Sequence, residues 1–348
     1  MSDTPDTFAE KGQIDAQQVS AFGRGPAGEQ IDLIRIANGG TKAAIMTWGA
    51  TLQDLRRTES DHALVLGSAD FAAYLGPMTY FGAIVGPVAN RVASGQFVLD
   101  GTRCDLERNE NDKTTLHGGA AGTGQRNWTL LACDATSCTL TVTHPDGEGG
   151  FPGNVTVQAH YALDETGTLT LDIQARTDRI THLNFAHHSY WNLDGHADLA
   201  NHTMCINANQ YLPVDADLIP TGAPAPVADT AFDYREMKPI TSPPDMALDH
   251  NFCIDSTDNE LHPMCSVRAG QYQLDVLSTE PGLQVFDATG MDTTPFNGHA
   301  GQPYGHHAGL ALEPQKWPDA PNQPDFPSIL IRPGETYRQR THFRISVL

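Results

Sequence analysis

The chain has 348 residues, enough to bury a sizeable core, and length alone permits two average domains or one large all-β unit. With 42 acidic against 21 basic residues its formal net charge is −21, which repels phosphate backbones and anionic bilayers and argues against nucleic-acid or membrane partners and against substrates carrying several phosphates. Met1-Ser2-Asp3-Thr4-Pro5-Asp6 lacks the regions of an export signal, no apolar run is long enough to cross a bilayer, and the six cysteines show no CxxC pair, so a cytoplasmic protein with reduced thiols is expected.

Residues 1–12 are polar and are expected to fray, leaving 13–348 as one unit. From Ile31 on, short alternating segments recur: Ile31 to Ala37, Ala43 to Thr47, Leu52 to Arg56 and Ala63 to Leu66 read as strands. Ser68 to Leu75 is the one short helix candidate, with Ser68 as its cap. Gln96 to Leu99 followed by Asp100-Gly101 carries the signal of a tight hairpin. The clearest hairpin runs from Val155 to Ala175 about the turn Asp164-Glu165-Thr166-Gly167, with one face apolar and one polar. Pro220 to Pro226 reads as a surface loop. Tyr272 to Leu277, Leu283 to Phe286, Ile329 to Ile331 and Thr341 to Val347 complete the set, and many strands with almost no helical periodicity predict an all-β, large antiparallel sandwich.

Within that pattern, Ala308-Gly309-Leu310-Ala311-Leu312-Glu313 is the most telling strand. Leu310 and Leu312 share one face, and Gly309, Ala311 and Glu313 share the other, where small residues leave room beside a carboxylate. Pro314 is expected to end the strand, and Trp317 to offer a platform for the apolar face of a ring. Four other stretches are too polar for their surroundings. They are Asn90-Arg91, Leu116-His117-Gly118-Gly119, Leu183 to Leu193, and the pair Asp249-His250-Asn251 and Leu283-Gln284-Val285. If 183–193 is a strand, His187 faces the core with Leu183 and Phe185, and His188 faces away with Asn184 and Ala186. Taken singly, Arg91 also reads as a surface ion pair, His117 as a turn histidine and Asp249 as a buried turn-forming acid. No HExxH and no zinc-like spacing occurs among the 15 histidines, and His187-His188 and His306-His307 are expected to point to opposite strand faces. Those spacings imply no metal; GxGxxG and P-loop motifs are absent, so no nucleotide cofactor is implied, and the absence of GxSxG removes the usual serine-hydrolase signal.

Taken together, Asn90-Arg91, His117-Gly118-Gly119, His188-Ser189-Tyr190-Trp191-Asn192-Leu193, Asp249-His250-Asn251-Phe252, Pro281-Gly282-Leu283-Gln284, Leu312-Glu313-Pro314-Gln315, Trp317 to Pro324 and Arg332 to Tyr337 closely resemble the aldose 1-epimerase (galactose mutarotase) family, in that family's order. The resemblance covers the chain from about Ile31 to its end. It implies a single β-supersandwich with a shallow sugar site, no cofactor and a free monosaccharide as partner, in a monomer or homodimer. It also implies Glu313 as general base and His188 as general acid, with Asn90, Arg91, His117, Asp249 and Gln284 binding the sugar. His187 departs from the family's pattern, where a small amide is expected before the catalytic histidine. Two rivals stay open: a glycoside hydrolase pairing Asp249 with Glu313, and a sugar-binding module without catalysis. A phosphorylated-sugar epimerase is disfavoured by the scarcity of basic residues.

Overall fold

Strict alternation over Val155–Leu163 and Leu169–Thr177 produces the central hairpin of the molecule, seen in a computed structural model that describes residues 8–240, 247–255 and 260–348. Every second residue of both strands is buried, as a sheet with one covered face requires. The hairpin lies in a nine-stranded antiparallel sheet. Its order is Thr129–Cys133, Ser137–His144, Val155–Leu163, Leu169–Thr177, Tyr337–Val347, Tyr272–Ser278, His262–Ala269, Thr203–Ile206, Lys238–Pro239. A six-stranded antiparallel sheet runs Tyr190–Trp191, Leu310–Gln315, Gly282–Phe286, Asp249–Ile254, Ala208–Tyr211, Ala225–Pro226. A four-stranded meander, Val19–Arg24, Gln30–Asn38, Thr41–Met46 and Thr51–Arg57, completes the large sheets.

One apolar core joins all three. Ile34, Ile45 and Leu52 of the meander meet Val157, Leu171, Val276 and Phe343 of the nine-stranded sheet and Phe252, Leu283, Val285, Leu310 and Leu312 of the six-stranded one. The all-β sandwich expected from the alternation is the architecture observed, and the longest helical element among the described residues is the five-residue 3-10 turn Phe71–Leu75. That turn is capped by Asp70, whose carboxylate accepts from the Ala72 amide, and not by Ser68. Ser68 instead accepts from Asp70 N and donates to Asn297 O.

Several local expectations are revised. Ala63–Leu66 forms only an isolated bridge, Val65 to Trp191, and Ala225–Pro226 is an edge strand inside the expected loop. The strand bearing Glu313 does not end at Pro314 but continues to Gln315. Pro314 O accepts from Gln339 Nε2 at 2.6 Å, so that edge of the residue faces a side chain, and the missing N–H interrupts no bond to Gly282–Phe286. His306 and His307 share a turn with their rings 3.8 Å apart, not opposite faces of a strand. In the segment expected to fray, residues 1–7 lie outside those described. Ala9 exchanges hydrogen bonds with the Gln158 side chain, and Gly12 N donates to Leu131 O. All six cysteines are unpaired, and no helix is long and apolar enough to cross a membrane among the described residues.

Candidate active site

Register decides which side chains meet. In the six-stranded sheet Gln284 lies directly opposite Glu313 on one side and Asn251 on the other, so all three share a face. The leucines between them turn into the core, which leaves this second face to polar groups. Asp249, two residues before Asn251, returns to the same face, and Gln284 Nε2 donates to its Oδ1 at 2.5 Å. The small residues leading to Glu313 do not form open space. The edge beside Gly309 is filled by Leu66 and Tyr190, and Ala311 packs in the same cluster.

Loops bring the remaining groups over that face. Ala186–His187 pairs with Ile84–Val85, and His188 is held at both backbone ends, its N donating to Ala83 O and its O accepting from Gly82 N. This sends His187 into the core against Phe343 and Tyr161, and His188 to the other side, where its Nε2 lies 3.6 Å from Glu313 Oε1. Arg91–Val92 pairs with Thr115–Leu116, and Asn90 and His117 close the pair. His117 N donates to Asn90 O, and Asn90 N donates to His117 Nδ1 at 3.1 Å. Asn90 also accepts the Arg91 amide on its side-chain oxygen at 2.8 Å. Arg91 reaches across to Asp249, Nη1 to Oδ2 3.5 Å, while its Nε and Nη2 donate to Glu110. Side-chain exposure rises from 2% at Glu313 to 7% at His188, 13% at Asp249 and 22% at Glu110, so Glu313 is the most enclosed of the four.

Burial governs the charges. It pushes the Glu313 carboxyl well above its ordinary value; the neighbouring Asp249 adds to this and Arg91 opposes it. It lowers His188 to about 4, with Arg91 acting in the same direction. His117 is lowered well below the usual imidazole range, first by burial and then by His188 and Arg91. Asp249 is raised by burial, with Arg91 and the Gln284 hydrogen bond opposing. Burial therefore disfavours charge on both partners of the facing pair, the carboxylate of Glu313 and the imidazolium of His188.

Nitrogen and oxygen atoms of His117, His188 and Glu313 lie within 4.8 Å of one another, a set of the kind that holds a divalent ion. The tautomer argues otherwise. His117 Nδ1 accepts a backbone amide, so its Nε2 carries the proton and is a donor to a ligand oxygen, not a metal ligand.

All seven residues singled out in the sequence, Glu313, His188, Asn90, Arg91, His117, Asp249 and Gln284, gather at this one place. Two neighbours carried no sequence signal. Tyr80 stands beside the rings of His117 (4.8 Å between centroids) and His188 (6.1 Å), and Glu110 grips Arg91 from an ordinary polar loop. Trp317 is committed elsewhere, edge-on to Phe326 with its indole N–H on Pro281 O.

A profile of the family described as aldose 1-epimerase matches residues 32–344. The chain is 38% identical to galactose mutarotase of Rattus norvegicus over 339 residues, covering 94% of this chain and 98% of that protein. It is 32% identical to aldose 1-epimerase of Escherichia coli (strain K12) over 336 residues, covering 92% and 96%. Among solved structures it resembles an aldose epimerase homologue from C. elegans, with TM-score 0.84 and 28% identity over 91% of this chain and 99% of that one. A galactose 1-epimerase from Lactobacillus acidophilus gives 0.82 and 26%, over 94% and 98%. A profile match spanning most of the sequence, relatives of nearly equal length, and a fold shared from end to end place this chain in the aldose 1-epimerase family.

Proposed function

We propose that this protein is a mutarotase that interconverts the α and β anomers of a free aldose by opening and reclosing the ring, with Glu313 as base and His188 as acid. The observation that carries the reading is the buried pair, Glu313 Oε1 and His188 Nε2 at 3.6 Å, with Arg91, Asp249, Gln284 and His117 gathered around it. Anomerisation removes the C1 hydroxyl proton and protonates the ring oxygen. The C1–C2 bond then rotates, and closure on the other carbonyl face runs the transfers backward. One base and one acid suffice, and no covalent intermediate is needed. The proposed roles use the pair as carboxylate and imidazolium, the charged forms that burial disfavours, so a proton moves from carboxyl to imidazole before the ring opens. A 3.6 Å separation makes passage of that proton short.

Arg91 Nη1, Asp249, Gln284 and the His117 Nε2–H present donors and acceptors for vicinal hydroxyls, and Asn90 contributes through its amide nitrogen while fixing the turn. Three acidic side chains, Glu110, Asp249 and Glu313, against one arginine favour a neutral sugar over a phosphorylated one. Residues 13–348 act in this reading as one catalytic unit. Galactose is the first sugar to test, because the relatives at 38% identity are named for it. Polarimetry on freshly dissolved α-aldoses should show accelerated approach to anomeric equilibrium. Glu313→Gln and His188→Asn should each lower kcat by about 10²–10⁴-fold with melting temperature retained. Near-normal rates in either folded variant would overturn that residue's role.

A further inference from the structure

Arg91 is gripped as well as offered to a ligand, and the grip comes from a loop to which the proposed reaction assigns nothing. Glu110 Oε1 accepts from Arg91 Nη2 at 2.8 Å, and Oε2 accepts from Arg91 Nε at 2.8 Å and from Thr114 Oγ1 at 2.7 Å. A guanidinium has five N–H groups in a rigid fork, and this side-on pairing uses the Nε edge, so Nη1 is left directed at Asp249. Exposed ion pairs stabilise little, but this one is two-pronged, its side chains are only 11% and 22% exposed, and a buried threonine holds the carboxylate. The loop is itself fastened. Glu110 and Thr114 form an isolated antiparallel bridge, Asn111 and Asp112 turn the chain with positive φ, and Lys113 Nζ meets Asp217 at 2.6 Å. Thr114, Glu110, Arg91, Asp249 and Gln284 thus form a continuous hydrogen-bonded and ionic chain that ends one strand from Glu313.

We propose that Glu110 is a positioning residue for sugar binding: it holds the Nε edge of Arg91 so that Nη1 meets the substrate hydroxyls and Asp249 in one geometry. The inference rests on the reading of Arg91 as a sugar contact. Without Glu110 the long arginine side chain regains its rotamers, and binding must order it again. The lost interaction is made to substrate and transition state alike, so it falls on KM more than on kcat.

The test is a double-mutant cycle on initial mutarotation rates with Glu110→Ala, Arg91→Lys and the pair, with Glu110→Gln as the shape-preserving variant and thermal melts as the check on folding. Glu110→Ala should raise KM about tenfold or more with kcat within about threefold, and Glu110→Gln should fall between it and wild type. In the Arg91→Lys background, where the fork is absent, Glu110→Ala should add less than about twofold. Independent, multiplying effects on KM, or an unchanged KM in Glu110→Ala while Arg91→Lys raises it, would overturn the proposal. An unchanged KM in Arg91→Lys would instead overturn the reading of Arg91 as a sugar contact.

Discussion

Two adjacent histidines, His187 and His188, show how one residue of register separates chemistry from packing. His188 faces Glu313, while His187 is 2% exposed, sits against Phe343 and Tyr161, and touches Ser189 Oγ through Nε2 at 3.3 Å. His187→Gln should therefore leave mutarotation within about twofold while costing about 1–3 kcal/mol of stability through lost ring packing, read by denaturant unfolding. For the facing residue the consequence is a pH profile. Protonating His188, whose pKa is lowered to about 4, gives the pair a second proton, and losing the last proton from the raised Glu313 leaves none. The kcat/KM of the free enzyme should hold from neutrality down to the region of about pH 4 to 5 and fall only below it, well under the ordinary imidazole range. An acid limb near pH 6.5, the ordinary imidazole value, would show that His188 does not feel the burial the structure gives it.

Among the turns and strands, the turn that presents His117 is the most demanding. Three successive residues, His117, Gly118 and Gly119, have φ of 55°, 85° and 81°, and a Cβ on Gly118 would collide with the Gly86 carbonyl oxygen. Gly118→Ala should cost about 2–4 kcal/mol and reduce kcat/KM by about tenfold or more by shifting His117, measured by thermal unfolding and polarimetry. Asp100-Gly101, with φ of 47° and 76°, forms the hairpin its dipeptide announces. Asn111 and Asp112 adopt the same sign of φ without a glycine, so the Glu110 loop is silent in the sequence. The strand around Glu313 misleads in the other direction, since Pro314 signals an end that tertiary packing overrides by turning its donor-less edge toward Gln339.

Over the full chain, buried histidines set the acid limit of stability. Burial holds His144, His182, His188 and His250 at about 4 and His187 at about 3, and lowers His117, His160, His202, His299 and His342 as well. Between the ordinary imidazole value and these lowered ones the unfolded chain binds more protons than the folded one, so stability is lost as pH falls from about 6.5. Asp249, Glu280, Glu313 and Asp319 are raised by burial and act oppositely, but they are fewer. Below the ordinary imidazole value, each ring that must stay neutral in the fold costs up to about 1.4 kcal/mol for every further tenfold rise in proton concentration. Melting temperature should therefore fall by several degrees between pH 7 and pH 5. A flat melting profile across that range would contradict the burial of these rings.

Local pattern along the chain was enough to establish the all-β class, the central hairpin, the shared facing of Glu313 and His188 away from the apolar core and the family, because alternation and short ordered motifs are properties of neighbouring residues. Packing in three dimensions was needed to show that Gly309 and Ala311 are covered over, that Trp317 is spent on Phe326, that the His117 ring is a donor and not a metal ligand, and that Glu110 holds Arg91. Each of these depends on which distant strands become neighbours, and on which nitrogen or oxygen of a side chain a backbone group has already taken.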